Sequence, residues 1–244
     1  KMECALATDI GLLREENQDI VRAEKFADNI LTVICDGMGG ERCGLEASEK
    51  TTEVLFDEFC RGYKDTLEKN EIKELLIKSV SAANSVVYSL SKMNYRSYGM
   101  GTTCVAAFVT ESWALIANVG DSRAYYFDKG ELFLLTNDHT VVNVLLEQGK
   151  ISEKEAENHP QKHMLTRAIG VERTVQTDFF SIDRTRESKL LLCSDGLSGY
   201  CSGKEICEIM SEDISNEETV KKLMHLALDK GGRDNISVSV VTEY

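Results

Sequence analysis

Residues Ile30–Gly40 read ILTVICDGMGG: six mostly apolar or β-branched residues, then Asp36-Gly37, then Met38 and two more glycines. A short run rich in Ile and Val, closed by a turn signal, fits a strand buried on both faces. The aspartate at its end stands on a rigid platform, and the glycine beside it lets another group approach the backbone. The pattern recurs along the chain. Asp121 follows Trp113–Val119 in VGDSR, Asp195 follows Lys189–Cys193 in CSDGL, and Asp234 precedes Ile236–Val241 in GGRDN. An earlier aspartate, Asp19, lies in NQD. Any one of these is ordinary turn chemistry. Their recurrence at the ends of separate apolar runs asks for a common reason.

Working outward, Thr102–Val109 reads as a further strand, and Arg123–Phe127 and Glu131–Leu135 flank Asp128-Lys129-Gly130, a hairpin signal. Ile72, Leu75, Leu76, Val80, Ala83, Val87, Leu90 and Met93 follow helical spacing, as does the stretch Leu45–Phe59. Val141–Leu146, Lys204–Met210 and Glu217–Leu228 read as shorter helices. Long helices after the early strands, followed by hairpin-linked strands, predict an α+β fold with mostly antiparallel pairing, not a repeating βαβ unit. Pro160 is the only proline and no linker or repeat interrupts the chain, so residues 1–244 are expected to form one domain.

Composition narrows the function. A formal charge of −13 argues against a broad nucleic-acid surface and against docking on anionic lipid. No stretch reaches the roughly 18 apolar residues of a membrane helix, and Arg14, Glu15 and Glu16 stand where a signal peptide would need its apolar core. The expected address is the cytoplasm and the expected state a monomer. None of the eight cysteines is spaced C-x-x-C, so they are read as reduced, buried apolar residues.

If the aspartates converge, they repel one another and are costly to ionise together. Hard divalent cations remove that penalty, and carboxylate, carbonyl and water ligands suit Mg²⁺ or Mn²⁺ better than zinc. Other phosphoryl-transfer chemistries lack their residues. No cysteine is followed six positions later by arginine, no two aspartates are spaced D-x-D, and no P-loop, H-E-x-x-H or G-x-S-x-G occurs.

Thr8–Gly11, Arg14, Asn17–Asp19, Asp36–Gly40, Met100–Thr103, Asn118–Arg123, Asp138-His139, His159-Pro160, Arg167–Gly170, Cys193–Leu197 and Gly231–Asn235 occur in this order. In that order they resemble the metal-dependent serine/threonine protein phosphatases of type 2C, and Met38 together with the compact length makes the chain similar to the bacterial branch. The resemblance implies a central β-sandwich of two antiparallel sheets flanked by helix pairs. It implies two Mn²⁺ or Mg²⁺ ions, with Asp36 bridging them, Gly37 giving its backbone carbonyl, Asp195 and Asp234 as further ligands, and Asp19 reached through water. A third ion would sit at Asp121 with Asp195, and Arg14 would bind phosphate.

The implied reaction is hydrolysis of phosphoserine and phosphothreonine in proteins by a metal-bridging water or hydroxide, without a covalent intermediate. The implied partners are phosphoprotein substrates and an opposing Ser/Thr kinase. Two alternatives stay open: a catalytically silent phosphoprotein-binding module, and a phosphatase dedicated to one regulatory protein. Met38 cannot donate a proton, so no general acid is assigned. Residues 140–167 correspond to the variable flap of the family. Asp138 and His139 are expected to cap the helix that begins near Thr140, and Arg167 to orient its neighbours.

Overall fold

A computed structural model of the chain describes residues 1–39, 43–93 and 99–243. The strands are β1 (Met2–Asp9), β2 (Asp19–Phe26), β3 (Asn29–Met38), β4 (Gly101–Thr102), β5 (Cys104–Val109), β6 (Trp113–Val119), β7 (Arg123–Asp128), β8 (Glu131–Leu134), β9 (Asp178–Asp183), β10 (Lys189–Cys193) and β11 (Ile236–Glu243). The helices are α1 (Cys43–Gly62), α2 (Lys69–Met93), α3 (Val141–Glu147), α4 (Glu153–Glu157), α5 (Asp195–Ser198), α6 (Gly203–Met210) and α7 (Asn216–Asp229).

Two sheets form, in the orders β1-β11-β10-β7-β8 and β2-β3-β5-β6-β9, with β4 added to β3. Every pairing between strands is antiparallel. Alternation along β3 shows how the layers are made. Ile30 and Ile34 point between the sheets, where they meet Val105 and Ile116 from their own sheet and Leu190, Leu192 and Val241 from the other. Leu31, Val33 and Cys35 point the opposite way, onto Leu55, Phe56 and Phe59 of α1 and Leu76 and Val80 of α2. The second sheet does the same with Leu191, Val238 and Val240, which pack on Ile206 of α6 and Leu223 of α7. The result is a helix–sheet–sheet–helix stack. It agrees with the expected sandwich and explains why the central strands read as unbroken apolar runs.

Three strands, β1, β2 and β9, were not among the runs expected from sequence. All three lie at sheet edges. Expected and observed helices agree within a few residues at most ends, the scatter that end fraying brings.

The capping expectation near Thr140 fails. Thr140 is itself the N-cap of α3, its hydroxyl accepting from the Asn143 amide. Asp138 instead takes a two-pronged hydrogen bond from Arg123, at 2.9 and 2.6 Å. His139 is turned inward to the Gly120 loop. A threonine with extended backbone directly before the first helical residue satisfies the cap, which frees its two predecessors for longer-range contacts.

Candidate active site

Strand ends deliver the aspartates to one edge of the sandwich. Asp19 begins β2 and lies opposite Asp36 of β3 in the ladder. Asp195 opens α5 directly after β10, and Asp234 stands just ahead of β11. Asp121 sits in the turn between β6 and β7. A cleft of about 590 Å³ is lined by Asp36, Asp121, Asp195 and Asp234, with Arg14 at its margin and Gly37 in its wall. Asp19 lies beneath it, 3% exposed.

The electrostatics follow from this crowding. Asp36 is pushed well above the usual carboxylate range, first by burial and then by the charges of Asp19, Asp195, Asp121 and Asp234. Asp121 is raised in the same direction by burial, Asp195 and Asp138. Asp19 is pushed up to about 7, burial outweighing the hydrogen bonds of Ser194 and Ser237 that pull the other way. The Arg14 guanidinium donates to Asp234 Oδ2 at 2.8 Å, a contact that holds it more firmly in its charged form. Arg14 thus faces a carboxylate instead of standing free for phosphate.

The backbone around the aspartates is tightly specified. The Asp36 amide donates to Thr103 Oγ1 and the Thr103 amide returns a bond to the Asp36 carbonyl, both at 2.9 Å. Gly37 lies so close to the start of α1 that a Cβ there would stand 2.1 Å from the Gly44 carbonyl oxygen. No other residue fits without moving backbone. Asn235, 5% exposed, accepts from the Gln18 amide and donates to the carbonyls of Ile10 and Glu16. It thereby fixes the loop that carries Arg14.

These residues fit hard cations. At this site two buried carboxylate oxygens, Asp19 Oδ1 and Asp195 Oδ1, have no hydrogen-bond partner among the described residues. Buried acceptors without donors carry a desolvation penalty unless a cation or its water meets them. The donors are oxygens throughout, which suits Mg²⁺ or Mn²⁺. Among the described residues no three His, Cys, Asp or Glu side chains form a ready-made ligand group.

The roof of the cleft comes from the segment after β8. His163 Nδ1 lies 3.8 Å from Asp195 Oδ2, so this segment reaches the site. Tyr200 lines the cleft from the opposite side. Sequence reading missed it, since nothing in the CSDGL run singles out a tyrosine three residues further on. Arg167 donates to Asp178 Oδ1 at 2.8 Å and to the Gln176 carbonyl at 3.1 Å. That agrees with the orienting role expected of it.

Comparisons with known proteins point one way. The family model described as "Protein phosphatase 2C" matches residues 17–236. The chain is 39% identical to the serine/threonine phosphatase stp of Listeria monocytogenes serotype 4b over 246 residues, covering 98% of this chain and 95% of the relative. The Streptococcus agalactiae serine/threonine phosphatase structure superposes with a TM-score of 0.94 at 34% identity, covering 100% of both chains. The catalytic domain of the serine/threonine protein phosphatase PstP, solved in complex with two manganese ions, superposes with a TM-score of 0.86 at 30% identity, covering 99% of this chain and 97% of that one.

Proposed function

The chain belongs to the protein phosphatase 2C family, and on that premise we propose that its five clustered aspartates form a cation centre for hydrolysing phosphoserine and phosphothreonine in proteins. The observation that carries the assignment is the convergence of Asp36, Asp121, Asp195 and Asp234 on one cleft with Asp19 buried beside it. Burial and the charges around them hold Asp19, Asp36 and Asp121 toward their protonated forms, a cost that cations would remove. Asp36, Asp195, Asp234 and the Gly37 carbonyl would hold two ions, with Asp36 shared between them and Asp19 acting through water. Asp121 with Asp195 would hold a third. When bound, Mn²⁺ or Mg²⁺ would supply Lewis acidity, turning water into a nucleophile at neutral pH and offsetting charge at phosphorus.

The chain's own residues do the rest. A phosphate monoester is a dianion entering a protein of charge −13, so Arg14 is needed at the margin to receive it. Its side chain is 56% exposed and already turned toward the cleft. Cations on Asp234 would release the guanidinium for a phosphate oxygen. Met38 and Leu165 bring apolar surface to the cleft wall.

The substrate presupposes a kinase that makes it, and an opposing Ser/Thr kinase is the partner we assign. None of the eight cysteines is in a disulfide, which suits the reducing cytoplasm. No helix among the described residues is long and apolar enough to cross a membrane. Every floor residue comes from one chain, so a monomer suffices.

The test is hydrolysis of a phosphothreonine peptide after stripping with EDTA, with and without added Mn²⁺. Activity that vanishes on stripping and returns with Mn²⁺ is expected. No turnover under either condition would move the assignment to a phosphoprotein-binding module.

A further inference from the structure

Asp19 is held by an unusually complete set of donors. Its Oδ2 accepts from Ser194 Oγ and from Ser237 Oγ, each at 2.7 Å. Both hydroxyls are wholly buried. Each has a single proton, and each spends it on Asp19. The lone pairs are then filled from behind. The Ser237 amide donates to Ser194 Oγ at 2.9 Å. Thr8 Oγ1 lies 2.8 Å from Ser237 Oγ and accepts from Asn17 Nδ2 at 2.9 Å. With the amide of Asn17 at one end and the carboxylate at the other, the direction is fixed: Asn17 to Thr8, Thr8 to Ser237, Ser237 to Asp19. Such chains polarise one another toward the acceptor.

Ser194 also occupies the N-cap position of α5, yet its side chain makes no capping bond. Its hydroxyl is committed to Asp19 instead. Oδ1, meanwhile, is buried with no partner among the described residues. One oxygen of Asp19 is saturated and the other is left bare.

We infer that Ser194 and Ser237, with Thr8 behind them, are positioning residues that pin one oxygen of Asp19 and present the other to a water at the cation site. This rests on the cation centre proposed above. It adds that Asp19 works in a single orientation, set from the opposite sheet, because Ser194 and Ser237 follow and belong to strands of the β1 sheet while Asp19 belongs to β2. Rotation of the carboxylate would strand two buried hydroxyl protons, so the orientation is locked.

The experiment is calorimetric titration of the full chain with Mn²⁺, paired with thermal unfolding of each variant. Ser237→Ala is the cleaner single change, since Ser194→Ala also removes the acceptor of the Ser237 amide. Loss of outer partners typically weakens metal affinity about 10- to 100-fold. Ser237→Ala is expected near the low end and Ser194→Ala/Ser237→Ala near the high end. Thr8→Val, one step further back, should weaken Mn²⁺ less than Ser237→Ala. A purely structural role would lower the unfolding temperature and leave the Mn²⁺ dissociation constant alone. A folded Ser237→Ala protein with wild-type Mn²⁺ affinity would overturn the inference, and this single variant carries the test if the double one does not fold. Asp36→Asn separates the two levels. If it binds Mn²⁺ as the wild type does, the cation centre itself is misplaced. If it loses Mn²⁺ while the serine variants keep full affinity, only the positioning role falls.

Discussion

Asp36 and His163 line the same cleft but are held by different means. Asp36 lies near the end of a strand paired with β2 on one side and with β5 and then β4 on the other, and Ile34 and Cys35 before it are buried on opposite faces of the sheet. His163 belongs to a stretch with two short helices, α3 and α4, whose residues are mostly half-buried or exposed. That stretch is tied down at its base. The Thr140–Leu165 bridge, the Thr166 amide on the His139 carbonyl, and His139 on the Gly120 amide close it. Floor positions are fixed by strand register, which tolerates no slip without turning every side chain over. Roof positions depend on a few bonds at one end. Under the proposed function the floor carries the chemistry, which needs fixed distances, and the roof is the part held by fewer bonds.

The sharpest way to break this contrast is Asp36→Asn. Phosphopeptide turnover should fall by about 10³-fold or more, as for loss of a central charge-stabilising group. Thermal stability should hold or rise, since one member of a repelling cluster loses its charge. Retained turnover would remove the floor from the chemistry. Next comes Gly37→Ala, where the clash is with backbone on both sides. A loss of about 3 kcal/mol, typical of an overpacked site, should appear in the denaturant midpoint. An unchanged midpoint would show that the floor yields as the roof does.

Arg14→Ala should act mainly on binding. KM is expected to rise roughly tenfold, the equivalent of about 1.5 kcal/mol for a hydrogen bond to a charged group, with a smaller change in kcat. A large drop in kcat at constant KM would place Arg14 in the transition state instead. The smallest effect concerns the base of the roof. Burial pushes Asp178 up, but the hydrogen bonds from His139 and Arg167 win and hold it below the usual carboxylate range. A lowered folded pKa contributes stability above the unfolded value of about 3.9, lost as pH falls through the folded one. The stability gap between wild type and Asp178→Asn should narrow over that acid window, read from urea midpoints. A gap that stays constant would take Asp178 out of the anchor.

What was legible in the sequence followed burial. β3, β5, β6, β10 and β11 lie inside their sheets with helices or a second sheet on either face, so both sets of side chains are mostly apolar. β1, β2 and β9 are edges, and charges such as Glu3, Arg22, Glu24 and Asp183 break their runs. The fourth edge, β8, was found through its turn, Lys129-Gly130, where both residues take positive φ. In the site, the aspartates announced themselves beside glycine at strand ends. Their supports did not. Ser194, Ser237, Asn235 and His139 owe their roles to partners far along the chain, and nothing in local spacing reveals which serine will meet which carboxylate.

The union of β1 with β11 bears on how the molecule comes into being. Met2 pairs with Glu243 and Asp9 with Ile236, and the Ser237 hydroxyl that holds Asp19 lies 218 residues away from it. Closing loops of that length is slow, and chains dominated by distant contacts fold late and together. During synthesis, Asp19 and Asp36 are made early but have no serine lock and no Asp234 until the last strand docks. The proposed cation centre therefore draws on strands made at opposite ends of this sequence: a polypeptide that stops short of β11 keeps the Asp19–Asp36 pairing but lacks the Ser237 hydroxyl and the strand that positions Asp234.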